Sequence, residues 1–225
     1  MSTGLRERRK QETRQAISDV ATEMFVARGF DEVTIAQVAD AAGVAKMTVT
    51  NYFPRKEDLV FDRAEGVVRS LAGVFATRAP GESLLSAIRR DYAERIARSD
   101  PTLGLSSPAF ARMIRNSPVL ASRGLEMLYQ RERALGDAIA AETGVDDPQQ
   151  RIVAATVSSV HSVLYEEGTR RSVAGQPNDE IRAALAAAAT RAFDLLEPSL
   201  GGYLIRPEPA PGDGAGTLGG AGQSR

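Results

Sequence analysis

The sequence predicts an all-α protein of about nine helices, and three observations carry that expectation. Apolar residues recur every three or four positions along most of the chain as far as residue 197, and no stretch alternates with the period of two that a half-buried strand needs. The periodic stretches are separated by helix punctuation: glycine where the backbone must turn left-handed, and Ser-Pro or Asp-Pro where a helix restarts. Beyond residue 197 glycine and proline dominate and bulky apolar residues are few, the composition of a segment that cannot bury a core.

Taken in order, the first helix is expected over 6–28, with Ala16, Val20, Ala21, Met24 and Phe25 as its buried stripe and Gly29 as its stop. Thr34 is a good N-cap for a second helix, on which Ile35, Val38 and Ala39 form one apolar face. Gly43 ends it, and Ala39 sits where a larger side chain would hold the next helix away. That short third helix turns Val44 and Val49 inward and leaves Lys46, Met47, Thr48, Thr50, Asn51 and Tyr52 outside. Pro54 stops it, because the residue before a proline is pushed out of the α region. A fourth helix is expected over 56–77, then a break at Ala79-Pro80-Gly81, then helices over 82–99 and 106–115. Ser117-Pro118 and Asp147-Pro148 open long helices to about 142 and 173, and a last one runs from Asn178 to near Glu197.

Residues 34–53 are the most informative stretch: two helices joined by a glycine turn, the second with a polar outer face, which is the shape that enters a DNA major groove. Asn51 can pair bidentately with adenine and Lys46 can donate to guanine, while Met47 and the Thr50 methyl suit a thymine methyl. Thr48, Tyr52 and Lys56 suit phosphate oxygens, which fix register without reading sequence. The competing interpretation of the stretch alone is a mixed polar surface helix of an ordinary helical protein.

The flanking runs Phe25-Val26-Ala27-Arg28-Gly29-Phe30-Asp31-Glu32-Val33-Thr34-Ile35 and Asn51-Tyr52-Phe53-Pro54-Arg55-Lys56-Glu57-Asp58-Leu59 narrow that choice. Together with the motif they resemble the DNA-binding domain of the TetR family of bacterial transcriptional regulators, over roughly residues 8–65. The resemblance implies an all-α homodimer whose second and third helices read DNA, with a larger C-terminal domain that binds a small molecule. It implies Lys46, Met47, Thr50 and Asn51 at base-reading positions and Thr34, Thr48, Tyr52 and Lys56 at phosphate positions. The chain departs from the family pattern at Met47, where glycine or alanine is common, at Thr50, where an aromatic is common, and at Arg55, a frequent serine. The expected domains are 1–55 for DNA, 56–197 for ligand and dimerisation, and a disordered tail over 198–225.

Formal net charge is −1 and the pI is near 6.0, so the chain as a whole has no general attraction to nucleic acid, a mild argument against DNA binding. Its N-terminal end is nevertheless basic, with Arg6, Arg8, Arg9, Lys10 and Arg14 against Glu7 and Glu12, and local cations govern phosphate contact. That end reads equally as a DNA-touching arm or a solvated helix start. The absence of cysteine excludes disulfides, thiolate catalysis and cysteine-bound zinc. No cofactor or metal is expected. No run is apolar enough to span a bilayer and no signal-peptide pattern is seen, so a cytoplasmic protein without membrane partners is expected.

Candidate ligand-binding residues are Tyr92, Phe110, Met113, Met127, Tyr129, His161 and Tyr165, with Arg112 or Glu166 as further candidates. His161, the single histidine, lies one turn from Tyr165; it is either a hydrogen-bonding group inside an apolar cavity or a satisfied histidine at an interface or surface. On α-helical spacing Val153, Val157, Val160 and Leu164 form one stripe and Ile152, Thr156, Ser159 and Val163 a second, so this helix should be buried on two sides. The family resemblance makes it and the final helix the dimer interface; the alternative is a pair of core helices in a monomer. The function expected is a ligand-responsive homodimeric repressor, released from a palindromic DNA operator by a small hydrophobic or amphipathic effector. The alternatives are a ligand-insensitive DNA-binding regulator and a small all-α enzyme. Glu166 and Glu167 next to His161 point to different sides of one helix, so they make a poor acid–base set for the latter.

Overall fold

In the computed structural model, which describes residues 2–208, the chain forms nine α-helices and two short 3-10 turns, with no strand among the described residues. Helix α1 spans Ser2–Arg28, α2 Ile35–Ala41 and α3 Lys46–Tyr52. A 3-10 turn at Lys56–Leu59 leads to α4 (Ala64–Thr77) and α5 (Leu84–Ala97). A second, at Pro101–Leu103, leads to α6 (Pro108–Asn116), α7 (Pro118–Thr143), α8 (Pro148–Val173) and α9 (Asn178–Leu200). The start signals act as expected. Ser107, Ser117 and Asp147 each accept the backbone N–H three residues on, and each is followed by proline in the first helical turn.

Two cores result. The first joins α1, α2 and α3 around Phe25, Val38, Val49 and Phe53. The second is shared by α4, α5, α7, α8 and α9 around Phe75, Leu85, Tyr92, Leu135, Val157 and Phe193. Helix α4 lies along α7, α5 along α9, and α7 along α8. Helix α6 and the first turn of α7 bridge the cores, because Phe110, Met113, Ile114 and Leu120 pack against the first.

Four expectations change. Ala16 is exposed and Ile17 takes its place in the buried face of α1. The segment 56–77 is not one helix: Asp58 accepts the Arg55 N–H and closes a tight turn, and α-helix resumes only at Ala64. Leu59 and Val60 are adjacent yet both buried, whereas one straight helix would aim them about 100° apart. Since both belong to the first core, a domain boundary at 55 falls short, and the first unit runs to about residue 60. A tail starting at 198 is also wrong for 198–208. Helix α9 continues through Pro198 to Leu200, and Tyr203 and Leu204 fold back on the second core. Burial of those two side chains offsets the hydrogen bond that Pro198 cannot make. Arg206 N–H donates to Glu82 O at 3.0 Å and Gly81 N–H to Arg206 O at 2.9 Å. The remaining tail, 209–225, lies outside the described residues.

The double stripe on α8 is only half buried. Val153, Val157 and Leu164 face the core, but Ile152 and Val163 are 64% and 62% exposed, and Leu195 of α9 is 79% exposed. None of the helices among the described residues is long and apolar enough to cross a membrane.

Candidate functional site

The helix-turn-helix is held from inside by small and branched residues. Ala39 and Val49, both buried, let α2 and α3 pack closely. Gly43 supplies the left-handed turn at φ 66°, and the Val44 N–H then donates to Ala39 O at 3.0 Å. Thr34 caps α2 more completely than its own hydroxyl requires. Its Oγ1 accepts the Gln37 N–H at 3.3 Å, and Gln37 Oε1 accepts the Thr34 N–H at 2.9 Å, a reciprocal capping box legible in Thr-x-x-Gln. Helix α3 lacks this: Ala45 occupies its N-cap with no side-chain bond. Ala45→Ser is therefore expected to stabilise the first unit by about 1 kcal/mol, read as a higher denaturation midpoint.

The outer face of α3 presents Lys46, Met47 (69% exposed) and Asn51 to solvent, with Thr48 and Thr50 half-exposed. The Thr50 hydroxyl donates to the Met47 carbonyl at 3.1 Å, so it is turned back on its own helix. Thr34 is exposed one helix away. Tyr52 is half-buried against the first core, and its carbonyl accepts the Arg14 guanidinium at 2.6 Å.

Two cations have packing roles that no local pattern announced. Arg14 stacks over Phe53, 4.3 Å from the ring centre, and also donates to Asp62 O, fastening α1 across the end of α3. It is thus not a free member of the basic end. Arg8 is exposed and paired with Glu12, a contact worth little. Lys56 lies 4.5 Å from the Phe30 ring centre and donates to Asp31 O, and burial lowers the pKa of its amine. Arg55, noted above for replacing a serine, reaches Glu126 of α7 at 2.9 Å. Arg123 of α7 reaches back to Asp58 at 3.0 Å, so ion pairs as well as apolar contacts tie the first unit to the second.

The ligand candidates separate. Tyr92 and His161 meet edge to face with ring centres 5.3 Å apart, and Phe193 lies beside both. Met127 is buried and Tyr165 half-buried, one turn beyond His161 on α8. Tyr129 does not join them; it is 60% exposed. Two residues after the inward Met127, a helix has turned about 200°, which puts Tyr129 on the far side. Phe110 and Met113 do not join them either, since their face of α6 is used to cover the first core. His161 is buried, not at the surface, and its Nε2 has no partner. Burial, then the charges of Arg131 and Arg95, hold its pKa well below the ordinary histidine value, so the ring is neutral. Sequence reasoning missed Arg131 and Arg95, since a lone arginine on a mixed helix normally reads as surface. No group of histidine, aspartate and glutamate side chains among the described residues is arranged to hold a metal.

Residues 17–62 match the family model described as bacterial regulatory proteins, tetR family. Over 205 residues the chain is 28% identical to the HTH-type transcriptional regulator TcmR of Streptomyces glaucescens, covering 88% of each protein. It is 39% identical over 59 residues to the HTH-type transcriptional regulator LuxR of Vibrio harveyi, covering 26% of this chain and 29% of that one. Among solved structures, a transcriptional regulator from Rhodococcus sp. Rha1 shares the fold with a TM-score of 0.50 at 15% identity, over 83% of this chain and 97% of that one. The relatives are regulators and not enzymes, and the matched segment coincides with the capped, glycine-turned pair of helices described above. Over residues 17–62 the chain is therefore similar to bacterial regulatory proteins of the tetR family, and over most of its length to a helix-turn-helix transcriptional regulator.

Proposed function

We propose that the protein is a homodimeric repressor that binds a palindromic operator and leaves it when a small hydrophobic or amphipathic effector enters the C-terminal unit. The observation that carries the DNA half is the outer face of α3, where Lys46, Met47 and Asn51 stand exposed on a scaffold fixed by buried Ala39 and Val49. On this reading Lys46, Met47, Thr50 and Asn51 read bases. Thr34, Thr48 and Tyr52 hold phosphates, and Lys56 does so through an ammonium already oriented by Phe30. Dimerisation is supported by the uncovered apolar residues Ile152 and Val163 of α8 and Leu195 of α9. A symmetric dimer would place its two α3 helices about 34–36 Å apart, one turn of DNA.

The route from ligand to DNA runs through helices that touch both units. Helix α4 connects them in sequence and lies along α7, while α6 touches both α1 and α8. An effector can shift the DNA-competent state only by its differential affinity for the two states, a coupling of about 1–3 kcal/mol, and DNA must oppose effector binding by the same amount.

Selection of the purified protein on a random duplex pool at stated salt tests the DNA half: enrichment of a palindrome supports it, and no enrichment counts against it. On the enriched site Asn51→Ala is expected to weaken binding by about 1–3 kcal/mol and to relax specificity at one position. Tyr52→Phe should weaken binding evenly across sequences. Equal, sequence-independent losses from both would reverse the division between base and phosphate readers.

A further inference from the structure

Four polar side chains meet inside the second core with bonding capacity left over. Tyr92 comes from α5, Arg131 from α7, and Ser158 and His161 from one face of α8. They are between 2% and 5% exposed. Yet Tyr92 Oη, Arg131 Nε, Ser158 Oγ and His161 Nε2 have no hydrogen-bond partner among the described residues. Buried polar atoms are nearly always paired, so four orphans in one place call for an explanation. They are close together: the Tyr92 and His161 rings are in contact, and Arg131 donates to Ser158 O and Ser162 Oγ, each at 3.2 Å.

Charge makes the case specific. The neighbouring Arg95 is neutralised within the fold, by Asp100 at 3.1 Å and Asp91 at 3.7 Å. Arg131 has no carboxylate within 4.0 Å among the described residues. Burial lowers its pKa only to about 10, so the guanidinium is charged at neutral pH. Enclosed water could satisfy a tyrosine or serine hydroxyl, but it cannot supply the missing negative charge.

We propose that Arg131, Tyr92, Ser158 and His161 form an anion subsite of the effector pocket, and that the effector carries a carboxylate. The carboxylate would accept from Arg131 and the Tyr92 and Ser158 hydroxyls, with a proton on His161 Nε2 as a further donor. Its apolar body would lie among Phe193 and the surrounding core. This rests on reading the C-terminal unit as effector-binding, and adds the charge and the residues that recognise it.

Matched acid and amide probes test it by titration calorimetry on the full chain at neutral pH: 1-naphthoate against 1-naphthamide, and octanoate against octanamide. At least one acid should bind about tenfold or more tightly than its own amide, the difference a charge-assisted pair supplies. Arg131→Met should erase that preference. Without any ligand the same variant should melt at least as high as the parent, because it removes an uncompensated buried charge. Binding with no acid preferred over its own amide would overturn the anion subsite and leave the effector pocket standing. Failure of all four probes on the parent would count against the pocket itself and the subsite with it. A lower melting point for Arg131→Met would show that the fold already satisfies Arg131, and would also overturn the proposal.

Discussion

Replacing Arg78 with alanine is expected to destabilise the protein by about 3 kcal/mol, seen as a lower denaturation midpoint in urea. Arg78 ends α4 and is completely buried. Its guanidinium lies 4.0 Å over the Phe75 ring centre and is bound bidentately by Glu142 at the end of α7. It also donates to Phe75 O at 2.7 Å and to Leu204 O at 3.1 Å. Alanine would take the side-chain donor from two carbonyls, leaving Phe75 O only the 3.5 Å bond from the residue 78 N–H, and would leave a cavity where the planar group stacks. The magnitude stays below that of a wholly buried pair because Glu142 is partly exposed and can rehydrate. Glu142→Gln should lose much less, since an amide oxygen still accepts from the guanidinium. The functional consequence follows from place: Arg78 pins the far end of the helix that leads out of the DNA-binding unit. A midpoint unchanged by Arg78→Ala would show that this junction contributes nothing to stability.

Gly168→Ala is expected to destabilise by about 2–3 kcal/mol through overpacking. An added methyl on this α8 residue would sit 2.6 Å from Leu103 O and 3.3 Å from Leu185 Cδ1. The opposing residue is Gly104, itself at φ 86°, where a Cβ would meet Tyr165 O at 2.6 Å. Two glycines thus let the connection before α6 lie directly on α8, and the Ser172 hydroxyl fixes it by donating to Gly104 O at 2.8 Å. Backbone sits on both sides, so neither can yield as a side chain would. Gly124→Ala on α7 is the control: nothing lies within 4 Å of its added methyl, and helix propensity predicts stabilisation of about 0.5–1 kcal/mol. If both variants behaved alike, close packing at the Gly104–Gly168 crossing would not be a determinant of stability.

The helix starts show why so much of the fold could be read early. Ser107-Pro108, Ser117-Pro118 and Asp147-Pro148 each place a cap beside a residue with preset φ, and both effects act within four residues. The helix-turn-helix was legible for the same reason: Thr34, Gly43 and Pro54 punctuate it locally, and Val38, Ala39 and Val49 mark its inner face. Interruption of 56–77 was not legible, because the spacing of apolar residues survives a bend that only the packing of Leu59 and Val60 demands.

Of the ligand candidates, Tyr92 and His161 came together while Tyr129, Phe110 and Met113 went elsewhere. A list of aromatic and methionine residues does not say which helix face a neighbour will cover. Sequence by itself determined the all-α class, most helix starts and the outward polar face of α3, since these follow from interactions between residues a few positions apart. Tertiary structure decided that Arg78 and Arg131 are buried, that Arg14 and Lys56 stack on aromatic rings, and that Tyr203 and Leu204 close the second core. Each depends on partners tens of residues away, and burial of a charge is set by the whole surrounding shell, which no short window of sequence contains.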